Sequence, residues 1–245
     1  MIKIKAIMPI SSDNINEPTK SDLLKLNLPD VEFDVVNLKK GPPLFIDGRI
    51  DDHIITPELI KIAKEAEKDG FHGVYISCFY DPGVDAIREA VKIPVFGAMA
   101  PSLATAQLIS QKYALVTVVE KAKTIFISLI RSLNLESNVS GIYVTDIPFE
   151  DLFNHDVLLA ALTDCCIQAI KDGAQAIILG CTGMVGLTET LDKALREKNI
   201  SIPLIDGTTA PIMQLYALCK QSLSHSLLNY PEQVGKLTRG LKSYE

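Results

Sequence analysis

The chain repeats itself, and this limits its possible folds more than any other feature. Lys68-Asp69-Gly70 opens the segment Phe71-His72-Gly73-Val74-Tyr75-Ile76-Ser77-Cys78. Lys171-Asp172-Gly173 opens Ala174-Gln175-Ala176-Ile177-Ile178-Leu179-Gly180-Cys181. In both, Asp-Gly reads as a helix end, with the glycine as its C-cap. A short apolar strand follows, and a cysteine stands eight residues after the glycine. Then come a loop, a helix, an Ile-Pro pair leading another strand (Ile93-Pro94, Ile202-Pro203) and an Ala-Pro (Ala100-Pro101, Ala210-Pro211). The two cysteines lie 103 positions apart. The remaining strands also correspond: Ile2–Ile10 with Ala114–Val119, and Glu32–Asn37 with Gly141–Val144.

Short β-branched runs alternate with longer amphipathic stretches throughout. Besides the strands above, Gly73–Ser77, Pro94–Gly97, Ala176–Leu179 and Pro203–Ile205 read as strands. Pro57–Asp69 reads as a helix with Leu59, Ile62, Ala63 and Ala66 on one face. Lys121–Leu133 does the same with Ala122, Ile125, Phe126, Leu129, Ile130 and Leu133. Asp156–Lys171 is apolar nearly all round, which predicts a buried helix. Such alternation implies parallel sheets with covered faces. The expected fold is α/β: two similar Rossmann-like domains with parallel sheets, related by a pseudo-twofold axis, with the active site in the cleft between them. The first domain is expected over 1–98 plus 208–245 and the second over 99–207.

Composition removes several function classes. Net charge is −6, and the nearest thing to a basic cluster is Lys39-Lys40, so a nucleic-acid surface is not expected. No apolar run approaches the roughly 20 residues that span a bilayer. The alternating start, Met1-Ile2-Lys3-Ile4-Lys5-Ala6-Ile7-Met8, reads as a strand and not a signal peptide. A cytoplasmic protein is expected, with its five cysteines reduced. They lack CxxC spacing, and His53, His72, His155 and His225 are scattered, so no metal site is expected. Neither GxGxxG nor GxxxxGK[ST] occurs, so nothing supports a dinucleotide or nucleoside triphosphate site.

The chemistry therefore falls on Cys78 and Cys181. Ligands of open α/β sheets bind at the carboxyl ends of strands, where both cysteines lie. Inverting a carbon acid needs one group to remove a proton from one face and another to return a proton to the opposite face. Cysteine suits both roles because its ordinary pKa of about 8.5 is near working pH. A strand-to-helix turn helps, since helix N-terminal N–H groups stabilise a thiolate. Asp81-Pro82 reads as an N-cap with proline at the first helical position. Thr182-Gly183 offers a hydroxyl and a close-approaching backbone to a carboxylate or enolate oxygen. Cys165, Cys166 and Cys219 sit in apolar helical stretches and read as core residues. His155 and His225 read as surface or capping residues. No lysine lies in either cysteine loop, which argues against a pyridoxal phosphate Schiff base and for a mechanism without a cofactor.

Ser77-Cys78-Phe79-Tyr80-Asp81-Pro82-Gly83 resembles the Cys-Phe-Asp-Asp-Pro-Gly segment of hydantoin and allantoin racemases. Leu179-Gly180-Cys181-Thr182-Gly183-Met184 resembles their Gly-Cys-Ala-Gly-Met segment, and Ile202-Pro203-Leu204-Ile205-Asp206-Gly207 resembles the strand that follows. The likeness covers nearly the whole chain and points to the Asp/Glu/hydantoin racemase superfamily. It implies two α/β domains with a cleft, two catalytic cysteines (Cys78 and Cys181), no cofactor, and a dimer or larger homo-oligomer. Two segments depart from the family. The usual Asn-Pro-Asn-Thr loop is Met8-Pro9-Ile10-Ser11-Ser12, and Gly-Pro-x-Ser-Ile is Gly41-Pro42-Pro43-Leu44-Phe45, which makes one pocket wall apolar. Arylmalonate decarboxylases lack the first cysteine, so the pair argues against that activity.

The expected function is a cofactor-independent racemase or epimerase acting at the carbon next to a carbonyl of an amino acid or a hydantoin-like derivative. Ser11, Ser12, Phe79, Thr117, Thr182 and Gly183 are expected to line the small-molecule substrate. Two alternatives stay open: a thiol-dependent cis–trans isomerase or lyase acting through a covalent adduct, and a non-catalytic small-molecule sensor.

Overall fold

A computed structural model describes residues 1–12, 16–39, 41, 46–145, 147–148, 151, 154–184 and 186–233. It contains two four-stranded sheets, and every strand pairing is parallel. The first holds β1 (Ile2–Met8), β2 (Val31–Asn37), β3 (Gly73–Ile76) and β4 (Val95–Phe96), in the order β2-β1-β3-β4. The second holds β5 (Tyr113–Thr117), β6 (Val139–Val144), β7 (Ala176–Leu179) and β8 (Leu204–Ile205), in the matching order β6-β5-β7-β8. The helices are α1 (Asn16–Lys25), α2 (Arg49–Lys68), α3 (Val84–Arg88), α4 (Met99–Ile109), α5 (Ala122–Ser132), α6 (His155–Lys171), α7 (Leu187–Glu197) and α8 (Thr209–Lys220). None among the described residues is long and apolar enough to cross a membrane.

The chain forms two compact units, one of residues 1–97 and 212–245, the other of residues 98–211. The second passage between them falls inside α8, four residues beyond the sequence boundary at 207. The order of each sheet follows from its connections. Right-handed parallel crossovers put β2 on one side of β1 and β3 on the other. The same holds for β6, β5 and β7.

In the first unit α2 buries Ile55, Leu59, Ile60, Ala63 and Ala66 against Ile7, Val74, Ile76 and Val95. In the second, α6 (Leu158, Leu162, Cys166, Ala169) and α7 (Leu187, Leu191, Leu195) cover Ala114, Val116, Ile177 and Leu179. The spacing of the three α7 leucines, one turn apart, is a clean helical stripe.

The repeat is reproduced bond for bond in the backbone. The N–H of Phe71 reaches back to the Ala66 carbonyl, and that of Ala174 to Ala169, closing α2 and α6 in the same way. His72 N–H then donates to Lys3 O, and Gln175 N–H to Lys112 O. Val74 N–H donates to Pro94 O, and Ile177 N–H to Pro203 O.

Two helices differ from the sequence reading. α2 begins at Arg49, not Pro57, and carries the proline inside it. Burial of Ile55 and Leu59 on the sheet holds the preceding turns helical. The Asp51 carboxylate accepts the N–H groups of Asp47 and Gly48, and the Thr56 hydroxyl donates to the Asp52 carbonyl at 2.6 Å. α6 is buried along one face only, with Ala160, Asp164 and Gln168 exposed. Its apolar residues outnumber the space that one sheet offers a helix.

α8 lies so close on β3 that a Cβ at Gly73 would stand 3.0 Å from both Cys219 Sγ and Leu215 Cδ1. Gly73→Ala is therefore expected to lower stability by ~1–3 kcal/mol through overpacking, measured as a lower urea midpoint with an unchanged slope.

Candidate active site

Each cysteine sits where its sheet changes direction. β1 and β3 are neighbours whose onward connections run to opposite edges, and so are β5 and β7. Such switch points open a crevice at the carboxyl ends of the strands. There the Ser77 N–H donates to the Ile7 carbonyl at 2.9 Å, and the Gly180 N–H donates to the Val116 carbonyl at 2.7 Å. Cys78 and Cys181 are the next residues.

From each cysteine the chain makes a turn closed by the same pair of hydrogen bonds. Asp81 N–H donates to Cys78 O at 3.2 Å and Val84 N–H to Asp81 O at 3.4 Å. Met184 N–H donates to Cys181 O at 3.2 Å and Leu187 N–H to Met184 O at 3.3 Å. Both turns end on a glycine five residues after the cysteine, Gly83 (φ 65) and Gly186 (φ 75), in the left-handed region that disfavours any Cβ. The glycine hands the chain to α3 or α7. Asp81 is thus not the helix cap, and Pro82 is not the first helical residue. Asp81 itself is left-handed (φ 48), which turns the chain out of helical geometry, and α3 starts at Val84. The shared Cys-x4-Gly spacing was the sequence signal for this.

In the first unit Ser11 and Ser12 follow β1, both partly exposed, and the Ser11 hydroxyl donates to the Gly41 carbonyl at 3.2 Å. Phe79 is buried. Leu44 and its neighbours 42, 43 and 45 lie outside the described residues. In the second unit Thr117 is buried at the end of β5, and its hydroxyl donates to the Gly180 carbonyl at 3.2 Å. It braces the residue that precedes Cys181. Thr182 is partly exposed and Gly183 exposed, and a Cβ at Gly183 would stand 3.5 Å from the Cys181 sulfur. Sequence reasoning missed Thr188 and Asp206. The Thr188 hydroxyl donates to Asp206 Oδ2 at 2.7 Å, while Oδ1 accepts the N–H groups of Thr208 and Thr209.

The five cysteines, none in a disulfide, differ in their surroundings. Burial pushes the Cys166 thiol up to about 12 and the Cys219 thiol up to about 11. Burial also raises Cys165, aided by the charge of Asp164. These three remain protonated near neutral pH; Cys166 takes the core role read from the sequence, while Cys165 and Cys219 are only partly buried. Cys219 also points its sulfur at the His72 carbonyl, at 3.2 Å. Burial raises the Cys181 thiol too, but here the backbone N–H groups of Gly183 and Met184 act in the opposite direction. Two amides aimed at one sulfur stabilise its thiolate, as the end of a helix does. Cys78 is partly exposed at the equivalent turn. His155 is exposed at the start of α6, and His225 is part-buried with Nε2 3.0 Å from the Val91 carbonyl.

The sequence profile of the Asp/Glu/Hydantoin racemase family matches residues 6–215. A hydantoin racemase from Rhizobium meliloti is 31% identical over 191 residues, 76% of each chain. One from Pseudomonas sp. (strain NS671) is 28% identical over 95% of this chain and 93% of its own. Among solved structures, an allantoin racemase from Klebsiella pneumoniae superposes with a TM-score of 0.87 and 25% identity, over 96% of this chain and 95% of that one.

The raised Cys181 thiol sets a test. Carboxymethylation of Cys181 by iodoacetate, followed by peptide mass spectrometry, is expected to rise with pH along a curve whose midpoint lies above the ~8.5 of an unperturbed thiol. A midpoint below that value means the two amides outweigh burial.

Proposed function

Because the chain belongs to the Asp/Glu/hydantoin racemase family, we propose that it interconverts the enantiomers of a hydantoin-type substrate, using Cys78 and Cys181 as a pair of opposed bases and no cofactor. The protein is an isomerase of the racemase type, as its relatives are. The observation that carries the two-base reading is the set of hydrogen bonds that the two cysteine turns share. Each has the same strand-end hydrogen bond, the same pair of turn hydrogen bonds and the same left-handed glycine. Chemistry that must run in both directions needs two such groups, each able to act as acid or base.

In the reaction, one cysteine as thiolate removes the proton from the stereogenic carbon beside the ring carbonyl. The electron pair left on carbon delocalises onto the carbonyl oxygen as an enolate. The other cysteine, as thiol, returns a proton to the opposite face. The net change is inversion, with one thiol and one thiolate at the start and at the end, their places exchanged. The Thr182 hydroxyl is the donor assigned to the substrate oxygen. Ser11 and Ser12 are assigned to the substrate on the Cys78 side.

A single enantiomer of a 5-monosubstituted hydantoin, incubated with the protein in deuterated water, is expected to lose optical rotation and gain deuterium at C5 above the enzyme-free rate. Cys78→Ser and Cys181→Ser are each expected to lower racemisation by ~10²–10⁴-fold, the span of a single acid–base group. Parental rates in both variants would refute the two-base reading. A stable adduct on one cysteine, seen by mass spectrometry without deuterium exchange, would show covalent isomerisation instead.

A further inference from the structure

Strand pairing fixes which residues of the two halves are equivalent. Val74 pairs with Val95 and Tyr75 with Phe96; Ile177 pairs with Leu204 and Ile178 with Ile205. The residue that follows β4, Gly97, is therefore the counterpart of the residue that follows β8, Asp206. The same register, counted from the cysteines, makes Asp81 the counterpart of Met184. The acidic residue has changed places: Asp and Gly in the first half stand where Met and Asp stand in the second.

The geometry gives this exchange a meaning. A Cβ built on Gly97 would stand 2.8 Å from Asp81 Cβ and closer still to its carboxyl carbon and Oδ1. The Asp81 carboxyl group occupies the space that a side chain at 97 would take. In the second half that space belongs to the side chain of Asp206, which reaches Thr188 at the start of α7. Each half thus carries a carboxylate over the end of its last strand, tied to the segment that follows the cysteine. In the first half it comes from the cysteine turn, and in the second from the strand. The left-handed backbone at Asp81 fits this reading. Left-handed backbone is costly for a residue that carries a Cβ, and it persists where the surrounding structure holds it there.

We propose that Asp81 and Gly97 form a lock that positions Cys78, with Asp81 as a positioning residue and the missing side chain at Gly97 as its socket, the counterpart of the Asp206–Thr188 tie beside Cys181. The lock acts on the thiol through two links. The Asp81 N–H holds the Cys78 carbonyl at 3.2 Å, and the Asp81 carboxylate is set against the end of β4, which pairs directly with β3. The claim rests on the proposed role of Cys78 as an acid–base group.

The test uses the full chain and three variants: Gly97→Ala, Asp81→Ala, and Asp81→Ala/Gly97→Asp, which moves the carboxylate to the strand as in the second half. Racemisation kinetics and the rate of Cys78 carboxymethylation relative to that of Cys181 are both measured. Gly97→Ala and Asp81→Ala are expected to lower kcat by about tenfold or more with KM changed by less than about twofold, the pattern of a misplaced reacting group. Both are expected to shift the Cys78 alkylation rate, with parental circular dichroism. The double variant is expected to return both readouts towards the parent.

Parental kcat and alkylation in Gly97→Ala overturn the lock, as does a double variant no better than Asp81→Ala. If Gly97→Ala fails to fold, the comparison of Asp81→Ala with the double variant decides alone. Alkylation reports the placement of Cys78 without any turnover. A protein that racemises no hydantoin refutes the proposed function, while the alkylation rates still decide the lock.

Discussion

One main-chain hydrogen bond in each unit sets the position of everything around the sulfur. Where β3 stops, Ser77 gives its N–H to Ile7; where β7 stops, Gly180 gives its N–H to Val116. These bonds are the last rungs of parallel ladders whose other rungs are buried under α2 in one unit and under α6 and α7 in the other. A cysteine one residue beyond such a rung inherits the stiffness of the sheet.

The two turns share their backbone hydrogen bonds and differ at the third residue after the cysteine, left-handed at Asp81 but not at its counterpart Met184. Around Cys181 the amides of Gly183 and Met184 oppose the effect of burial. In the Cys78 turn that third residue is an aspartate whose carboxylate lies against the strand end. The shared hydrogen bonds give the two sulfurs corresponding positions on their sheets, in unequal surroundings. The other three cysteines show how much depends on place. The same side chain at a helix–sheet contact is held as an inert thiol by burial.

Much of this was legible in the residue string. Asp-Gly at the helix ends, apolar runs of strand length and a cysteine at a constant spacing after glycine are local signals, and they located all eight strands to within a few residues. The errors fell where a local rule met a distant contact. Pro57 suggested a helix start, but burial of Ile55 on the sheet carried the helix through it. Asp-Pro suggested a cap, but the aspartate is drawn to Gly97 instead. The bond from the Thr117 hydroxyl to the Gly180 carbonyl, 63 positions away in sequence, likewise had no local signal.

The sequence by itself determined the duplicated α/β plan, the family, and the placing of Cys78 and Cys181 at strand ends. The strand ends follow from spacing and residue type within a dozen positions, and the plan and the family from the recurrence of such segments along the chain. Only the tertiary structure decided which thiols are silenced by burial, which amides face the Cys181 sulfur, and that the carboxylate over each last strand comes from Asp81 in one half and Asp206 in the other. Those outcomes depend on residues brought together from separate strands and loops, and desolvation and close contact are properties of the packed chain that no local pattern encodes.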